Sequence, residues 1–148
     1  MAAGERAVSG ILVPLGGADD DDEVIRLACL LARQTHLRLC FLHVIKVPRV
    51  LAVDAELPVQ THRGDAILIH AEEEAARHQV QCDTALAQAR EIGSAIVNEA
   101  VDRASDLVVI GIDPDRKTGT FHVGEIASHV LEHAPCAVIA HRLALPRG

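Results

Sequence analysis

The fold is decided by residues 106–142, DLVVIGIDPDRKTGTFHVGEIASHVLEHAPCAVIAHR. Residues 107–112 are almost all Val, Ile and Leu, which predicts a strand that is buried on both faces. A polar loop follows over residues 113–123, and a short helix is predicted over residues 125–133, ending before a proline. Residues 136–140 predict a second buried strand. A strand, a glycine-bearing loop and a helix N-terminus form the arrangement with which α/β folds hold phosphates, because free N–H groups and the helix dipole favour an anion there.

The rest of the chain alternates between strand and helix patterns in the same way. Strands are predicted over residues 10–15, 37–45 and 80–87. The first helix follows the acidic run 19–23 and ends near residue 36, and further helices are predicted over residues 61–78 and 92–104. The alternation in residues 80–87 predicts an edge strand or a half-exposed one. Residues 46–59 are predicted to form an extended loop. The candidates for the buried faces are Ala66, Ile67, Ile69, His70 and Ala75 in the second helix and Ile92, Ile96, Val97, Ala100 and Val101 in the third.

This alternation predicts a single doubly wound α/β domain over residues 1–148, with a parallel sheet that is covered by helices on both faces. Residues 1–9 and 143–148 are expected to be flexible tails. In sheets of this kind, ligands bind beyond the carboxyl ends of the strands, where the strand order reverses. We therefore expect residues 15–17, after the first strand, to face residues 111–113, after the fourth.

The composition disfavours several classes of partner. The formal charge of −7 makes binding to nucleic acid or to an anionic membrane unfavourable. Phe41 and Phe121 are the only aromatic residues, so the chain lacks a stacking platform for single-stranded nucleic acid. No apolar run approaches the roughly 18 residues that a membrane-spanning helix needs, so no direct membrane insertion is expected.

The cysteines and the N-terminus predict a cytoplasmic protein. Cys29, Cys40, Cys82 and Cys136 lie far apart in apolar segments and form no C-x-x-C motif, which is typical of buried free thiols in a reducing compartment. The first ten residues, MAAGERAVSG, lack the apolar core of a signal peptide.

Four segments resemble the universal stress protein family, and together they extend over most of the chain. They are ILVPLGG at residues 11–17, LCFLHVI at 39–45, SDLVVIGI at 105–112 and GEIASHVLEHAPCAVIAHR at 124–142, in which the HAPC turn is the most specific element. The resemblance implies an adenine nucleotide alpha hydrolase-like fold with a five-stranded parallel sheet in the order 3-2-1-4-5. It also implies a homodimer that forms through the last strand.

The resemblance further implies a nucleotide crevice, because family members that bind ATP carry Gly-x-x-Gly, nine further residues and then Gly-Ser or Gly-Thr. Gly111 and Gly124 match the first and third glycines, whereas Pro114 stands at the second and Glu125 at the hydroxyl position. An Asp that reads the nucleoside after the first strand is Gly16 here. The resemblance and the position of the strand ends together give these candidate residues of the crevice: Pro14, Leu15, Gly16, Val44, Ile110, Gly111, Ile112, Arg116, Thr118, Gly119, Gly124, Glu125 and Ile126.

These departures from the motif predict weak binding of ATP or none. Pro114 cannot take the positive φ of a glycine and has no N–H to donate to a phosphate. Glu125 introduces a carboxylate, and two unit charges about 4 Å apart repel by roughly 4 kcal/mol at an effective dielectric constant of about 20. That exceeds the benefit of a helix N-terminus, which is about 0.3–2 kcal/mol. Arg116, Thr118 and Gly119 leave a rearranged anion site open as an alternative.

No metal site and no catalytic constellation is predicted. His129 and His133 are four residues apart on the last helix, but no H-E-x-x-H motif is present. No serine lies in a G-x-S-x-G motif, so we expect that the protein is not an enzyme. His43 lies near the expected crevice and is interpreted as a hydrogen-bonded residue at the end of the sheet, with ligand contact as the alternative.

Three functions follow from these features. The first is a non-catalytic regulatory module of the stress response, acting as a dimer, with weak ATP binding or none. The loop VPRVLAVDAELP at residues 47–58 resembles loops of related domains attached to membrane transporters, so a transporter partner is included in this hypothesis, with AMP or a cyclic dinucleotide as a ligand. The second function is an ATP or AMP sensor with an altered phosphate loop. The third, a flavin-binding electron carrier, is disfavoured because no aromatic residue is available to flank the flavin ring.

Overall fold

The computed structural model describes residues 10–18, 20–112 and 124–143. Strands and helices alternate along the chain in the order β1 (Gly10–Pro14), α1 (Asp21–Thr35), β2 (Arg38–Lys46), α2 (Pro58–Arg77), β3 (Cys82–Ala89), α3 (Ile92–Asp102), β4 (Leu107–Ile112), α4 (Glu125–His133) and β5 (Ala137–Arg142). The expected tails, apart from residue 143, and the loop over 113–123 lie outside the described residues.

The five strands form one parallel sheet in the order β3-β2-β1-β4-β5, which confirms the predicted topology. β1 lies at the centre, where Ile11 pairs with Leu39 of β2 on one side and with Leu107 of β4 on the other. The strand order reverses between β1 and β4, because the chain leaves β1 for α1 on one face of the sheet and leaves β4 for α4 on the other. This is the position where a doubly wound sheet leaves a crevice for a ligand.

Side chains that alternate along the strands build two cores, one on each face of the sheet. Ile11, Val13 and Phe41 belong to the core that α1 and α2 cover. Leu12 and Leu42 belong to the core on the opposite face, which α3 and α4 cover. The central strands are therefore buried on both faces, which explains their nearly continuous apolar sequence. No helix in the described ranges is long and apolar enough to cross a membrane.

Several element boundaries differ from the sequence prediction, among them the starts of α2 and β3. α2 begins at Pro58, whereas the pattern predicted an extended loop through residue 59 and a helix from residue 61. Proline fits the first turn of a helix, because its missing N–H would have no partner there in any case. β3 begins at Cys82 and continues to Ala89, so the predicted strand over residues 80–87 was shifted by two positions.

The predicted buried faces are only partly right. Ala75 and Ile96 are buried as predicted, but Ile69 is 54% exposed and Val101 is 57% exposed. Ala66 and His70 also face outward, because the residues of α2 that contact the sheet are instead Gly64, Leu68, Ala71 and Ala75. β5 was predicted to be buried, but it is the edge strand and its side chains are half-buried or exposed.

Candidate functional site

A crevice of about 830 Å³ opens at the carboxyl ends of the strands, where the order reverses. It is lined by the ends of β1, β2 and β4 and by the N-terminal parts of the helices that follow the strands. The lining includes the predicted site residues Pro14, Leu15, Gly16, Val44, Ile110, Gly111, Ile112, Gly124, Glu125 and Ile126. The remaining predicted residues, Arg116, Thr118 and Gly119, as well as Pro114, lie outside the described residues, and the assignment of all of them to a nucleotide stays a prediction.

The floor of the crevice is apolar and firmly packed. Leu15, Val44 and Ile110 are all buried: Leu15 follows β1, and Val44 and Ile110 lie among the last three residues of β2 and β4. The N–H of Leu15 donates to the carbonyl of Leu42 at 2.8 Å, which extends the sheet hydrogen bonding past the end of β1. An apolar floor with polar groups around it suits a ligand that combines an apolar ring with polar substituents.

His43 fixes the junction between β1, β2 and α2. Its Nδ1–H donates to the carbonyl of Leu15 at 2.7 Å, and the residue is only 6% exposed. A Cβ at Gly64 would lie 2.8 Å from Cδ2 of His43, so only glycine lets α2 approach this closely. The interpretation of His43 as a hydrogen-bonded residue at the end of the sheet is therefore confirmed, and the same residue also lines the crevice.

Arg63 and Gln60 form what we call the α2 side of the crevice, and the sequence prediction missed both. Nη2 of Arg63 donates to the carbonyl of Gly16 at 3.2 Å. Gly17 has a φ of 82°, and a Cβ there would lie 2.7 Å from Nη2 of Arg63. Glycine at this position thus serves two needs, the left-handed backbone and the space for the guanidinium group. A cation is thereby brought from α2 to the end of β1.

Gly111, Gly124, Glu125 and Asp20 form what we call the α4 side of the crevice. A Cβ at Gly111 would lie 2.6 Å from Oδ2 of Asp20, so the Asp20 carboxylate lies directly against the end of β4. Asp20 is only 2% exposed and is the N-cap residue of α1, but its side chain makes no capping hydrogen bond. Asp20 therefore does not cap α1 through its side chain.

The start of α4 does not depend on glycine for its conformation. Gly124 has a φ of −68°, which any residue adopts, and a Cβ there would meet no atom within 4 Å. Glu125 follows as the first residue of α4, where its carboxylate lies in the positive end of the helix dipole. This carboxylate stabilises the helix start and reduces the attraction of the same N-terminus for a phosphate.

Carboxylates outnumber Lys and Arg among the lining residues that the structure describes. The acidic lining residues are Asp20, Asp21, Glu91 and Glu125, and the described cationic ones are Lys46 and Arg63. The Asp21 carboxylate accepts a hydrogen bond from the Gly17 N–H at 2.8 Å and so holds the turn after β1. Sequence reasoning identified the acidic run but not its inward direction, because the direction follows from how α1 packs over β4.

His129 packs against α3 and also lines the crevice. A Cβ at Gly93 would lie 3.0 Å from Cβ of His129, which places α3 and α4 in close contact. The rings of His129 and His133 stack with their centroids 4.3 Å apart, and Nδ1–H of His133 donates to the carbonyl of His129. In the single chain His129 is half-buried, whereas His133 is exposed. In the described ranges, no group of three or more His, Cys, Asp or Glu residues could hold a metal ion.

The four cysteines are free. Burial raises the pKa of Cys29 and of Cys40 to about 11. Burial also raises the pKa of Cys82 and of Cys136, which are half-buried rather than fully buried as predicted. Since the thiolate is the reactive form, none of these residues is suited to act as a nucleophile at neutral pH.

We compared the sequence and the fold of the chain with those of known proteins. The sequence model of the universal stress protein family matches residues 9–142. The chain is similar to the structure of a universal stress protein from Archaeoglobus fulgidus, with 21% identity and a TM-score of 0.77 over 89% of this chain and 97% of that one. The Archaeoglobus fulgidus protein in complex with dAMP shows 19% identity and a TM-score of 0.72 over 89% and 96%. A universal stress protein in complex with cAMP shows 17% identity and a TM-score of 0.70 over 93% and 98%.

No curated protein matches the chain by sequence. The identities to the solved structures are low, so these structures show the shared fold. The family model, in contrast, matches the chain from the residue before β1 to the end of β5. The chain therefore belongs to the universal stress protein family.

Proposed function

We propose that the protein is a non-catalytic regulatory module of the stress response whose crevice binds an adenine mononucleotide in preference to ATP. The observation that carries the proposal is the described lining of the crevice, residues 113–123 excepted, which has an apolar floor and more carboxylates than cations. The floor suits a purine ring, and the solved relatives with dAMP and cAMP support an adenine nucleotide as the ligand. The acidic surroundings disfavour a triphosphate, since ATP carries more negative charge than AMP or cAMP.

The departures from the ATP motif support the same preference. Glu125 stands at the position where ATP-binding relatives carry a hydroxyl, and Asp20 lies against Gly111 on the same side. Both carboxylates would face the phosphates if a triphosphate followed the α4 side. Pro114, at the position of the second glycine of the motif, has no N–H to donate to a phosphate.

Isothermal titration calorimetry with AMP, cAMP and Mg-ATP tests this function. We expect AMP and cAMP to bind at least about tenfold more tightly than Mg-ATP, a difference of about 1.4 kcal/mol. Tighter binding of Mg-ATP than of AMP would favour the alternative, an ATP sensor with an altered phosphate loop. Binding of none of these nucleotides would overturn the proposal.

We also propose that the protein acts as a homodimer through β5. This strand is at the edge of the sheet and its side chains are half-buried or exposed in the single chain. An edge strand has unpaired N–H and C=O groups, and with apolar residues such as Val138 and Ile139 it can pair with a strand of another chain. Sedimentation equilibrium should show a dimer, and a monomer across the accessible concentration range would contradict this proposal.

The loop between β2 and α2 supports a protein partner, and we include a membrane transporter as the hypothesis for it. Val50 is 91% exposed, and Leu51 and Val53 are exposed beside it. The loop is nevertheless held in place, because Nε2 of Gln88 donates to the carbonyls of Val53 and Ala55. Fixed, exposed apolar residues are typical of a contact surface. A photo-crosslinker placed at Val50 in cells should capture a membrane protein, and capture of soluble proteins alone would contradict the hypothesis.

A further inference from the structure

Arg63 reaches the crevice with most of its hydrogen-bonding capacity unused. A guanidinium group has five N–H donors, and one of those of Arg63 is directed at the carbonyl of Gly16 at 3.2 Å. The side chain is exposed and lines the crevice from α2. Gln60 lies three residues earlier on the same helix face and also lines the crevice, so a second polar side chain accompanies the guanidinium group.

The charge of Arg63 is not neutralised within the part of the chain that the structure describes. There, no carboxylate lies within ion-pair distance of its guanidinium group, whereas Arg38 and Arg103 each have a carboxylate partner. Arg38 pairs with Asp83 at 3.0 Å, and Arg103 pairs with Glu99 at 2.6 Å. A guanidinium group that faces a crevice without a carboxylate partner is well placed to bind a phosphate in a bidentate manner.

The α4 side offers the opposite environment. The Asp20 carboxylate lies against Gly111, and Glu125 occupies the first position of α4. An anion bound there would lie close to the buried carboxylate of Asp20 and the exposed carboxylate of Glu125, and both repel it. A phosphate in this crevice is therefore repelled on the α4 side and attracted on the α2 side.

We propose that Arg63, assisted by Gln60, forms an oxyanion subsite that binds the phosphate of the nucleotide on the α2 side of the crevice, away from the N-terminus of α4. This inference rests on the proposed function, because the phosphate belongs to the adenine mononucleotide proposed above. The hydrogen bond to Gly16 orients the guanidinium group, so the subsite is formed before the ligand arrives.

Calorimetry on Arg63→Gln and Arg63→Lys, with AMP and adenosine as the probes, tests the subsite. Arg63→Gln should weaken the affinity for AMP about ten- to hundredfold, which corresponds to the loss of a charge-assisted hydrogen bond. The affinity for adenosine should stay within about twofold of the wild-type value. Arg63→Lys keeps the charge and should recover part of the AMP affinity. The control is Arg77→Gln, which makes the same charge change on the same helix, at a residue that is paired with Glu74 and lies outside the crevice lining.

The outcomes separate this inference from the function on which it rests. AMP binding that is unchanged in Arg63→Gln would overturn the subsite and leave nucleotide binding intact. An equal loss for AMP and adenosine would also overturn it, because Arg63 would then act only by holding the turn at Gly16. No binding of AMP to the wild type would overturn both. A loss confined to AMP, which decreases as the salt concentration rises, supports the subsite.

Discussion

The α2 side and the α4 side of the crevice share one scaffold and differ in charge. On the α2 side, Arg63 is held over the end of β1 by a hydrogen bond to Gly16. On the α4 side, Asp20 lies against Gly111 and Glu125 opens the helix. The positions of the strands and helices are those of the family, so the difference arises from a few side chains. The fold thus provides the crevice, while its charges decide which end of a ligand binds where.

Reversing the charge on the α4 side should change the affinity for Mg-ATP more than any other substitution that we consider. In Glu125→Lys, a carboxylate at the start of α4 is replaced by a cation, so a triphosphate gains attraction where it met repulsion. We expect the affinity for Mg-ATP to rise about thirtyfold, or about 2 kcal/mol, as measured by calorimetry. Glu132→Lys makes the same charge change on the exposed side of α4 and should leave the affinity within about twofold. Equal effects of the two variants would show that only the net charge matters.

Adding a methyl group at Gly64, where α2 packs on His43, should lower the stability of the fold. The expected free-energy change is smaller than the one for Glu125→Lys. In Gly64→Ala, the new methyl group would meet Cδ1 of Leu86 at 2.7 Å and Cδ2 of His43 at 2.8 Å. Overpacking costs about 1–3 kcal/mol, and the better helix propensity of alanine returns up to about 1 kcal/mol. We expect the free energy of unfolding in urea to fall by about 1–2 kcal/mol.

Gly16→Ala is the matched control for this prediction. A Cβ at Gly16 would meet no atom within 4 Å, and its φ is not positive. The free energy of unfolding should therefore stay within about 0.5 kcal/mol of the wild-type value. A loss in the control as large as in Gly64→Ala would mean that α2 does not pack on His43 as described.

The ion pair between His70 and Asp22 gives the smallest expected effect. Nε2 of His70 lies 2.6 Å from Oδ1 of Asp22, and this hydrogen bond raises the pKa of His70 above its usual value. The folded state therefore holds the proton more tightly, so the stabilisation is complete below the unfolded pKa of about 6.5 and is lost as the pH rises through the folded pKa. Both side chains are about half exposed, so after screening we expect less than about 1 kcal/mol.

Nuclear magnetic resonance titration of His70 in the wild type and in Asp22→Asn measures this effect. The pKa of His70 should fall towards its usual value in Asp22→Asn. Thermal unfolding should show that Asp22→Asn costs stability at acidic pH, down to the range where Asp22 itself is protonated, and costs little at alkaline pH. A pKa of His70 that is the same in both proteins would contradict the pairing of α1 with α2.

Local patterns in the sequence predict the parallel sheet and the position of the crevice, whereas the order of the strands came from the resemblance to the family. The apolar runs mark the strands, and the bounds of β4 and α4 agree with the prediction. Arg63 could not be predicted, since nothing in its neighbourhood in the sequence signals that α2 carries it to Gly16. Asp20 was recognised as acidic, but its burial depends on the packing of α1 over Gly111. Tertiary contacts of this kind leave no periodic signal in the sequence.

The crystal structure of the protein with AMP tests the central claim most directly. The account predicts that phosphate oxygens lie about 2.7–3.2 Å from the guanidinium nitrogens of Arg63, with the base on the apolar floor beside Val44. A phosphate bound instead at the backbone N–H groups that begin α4, next to Glu125, would contradict it.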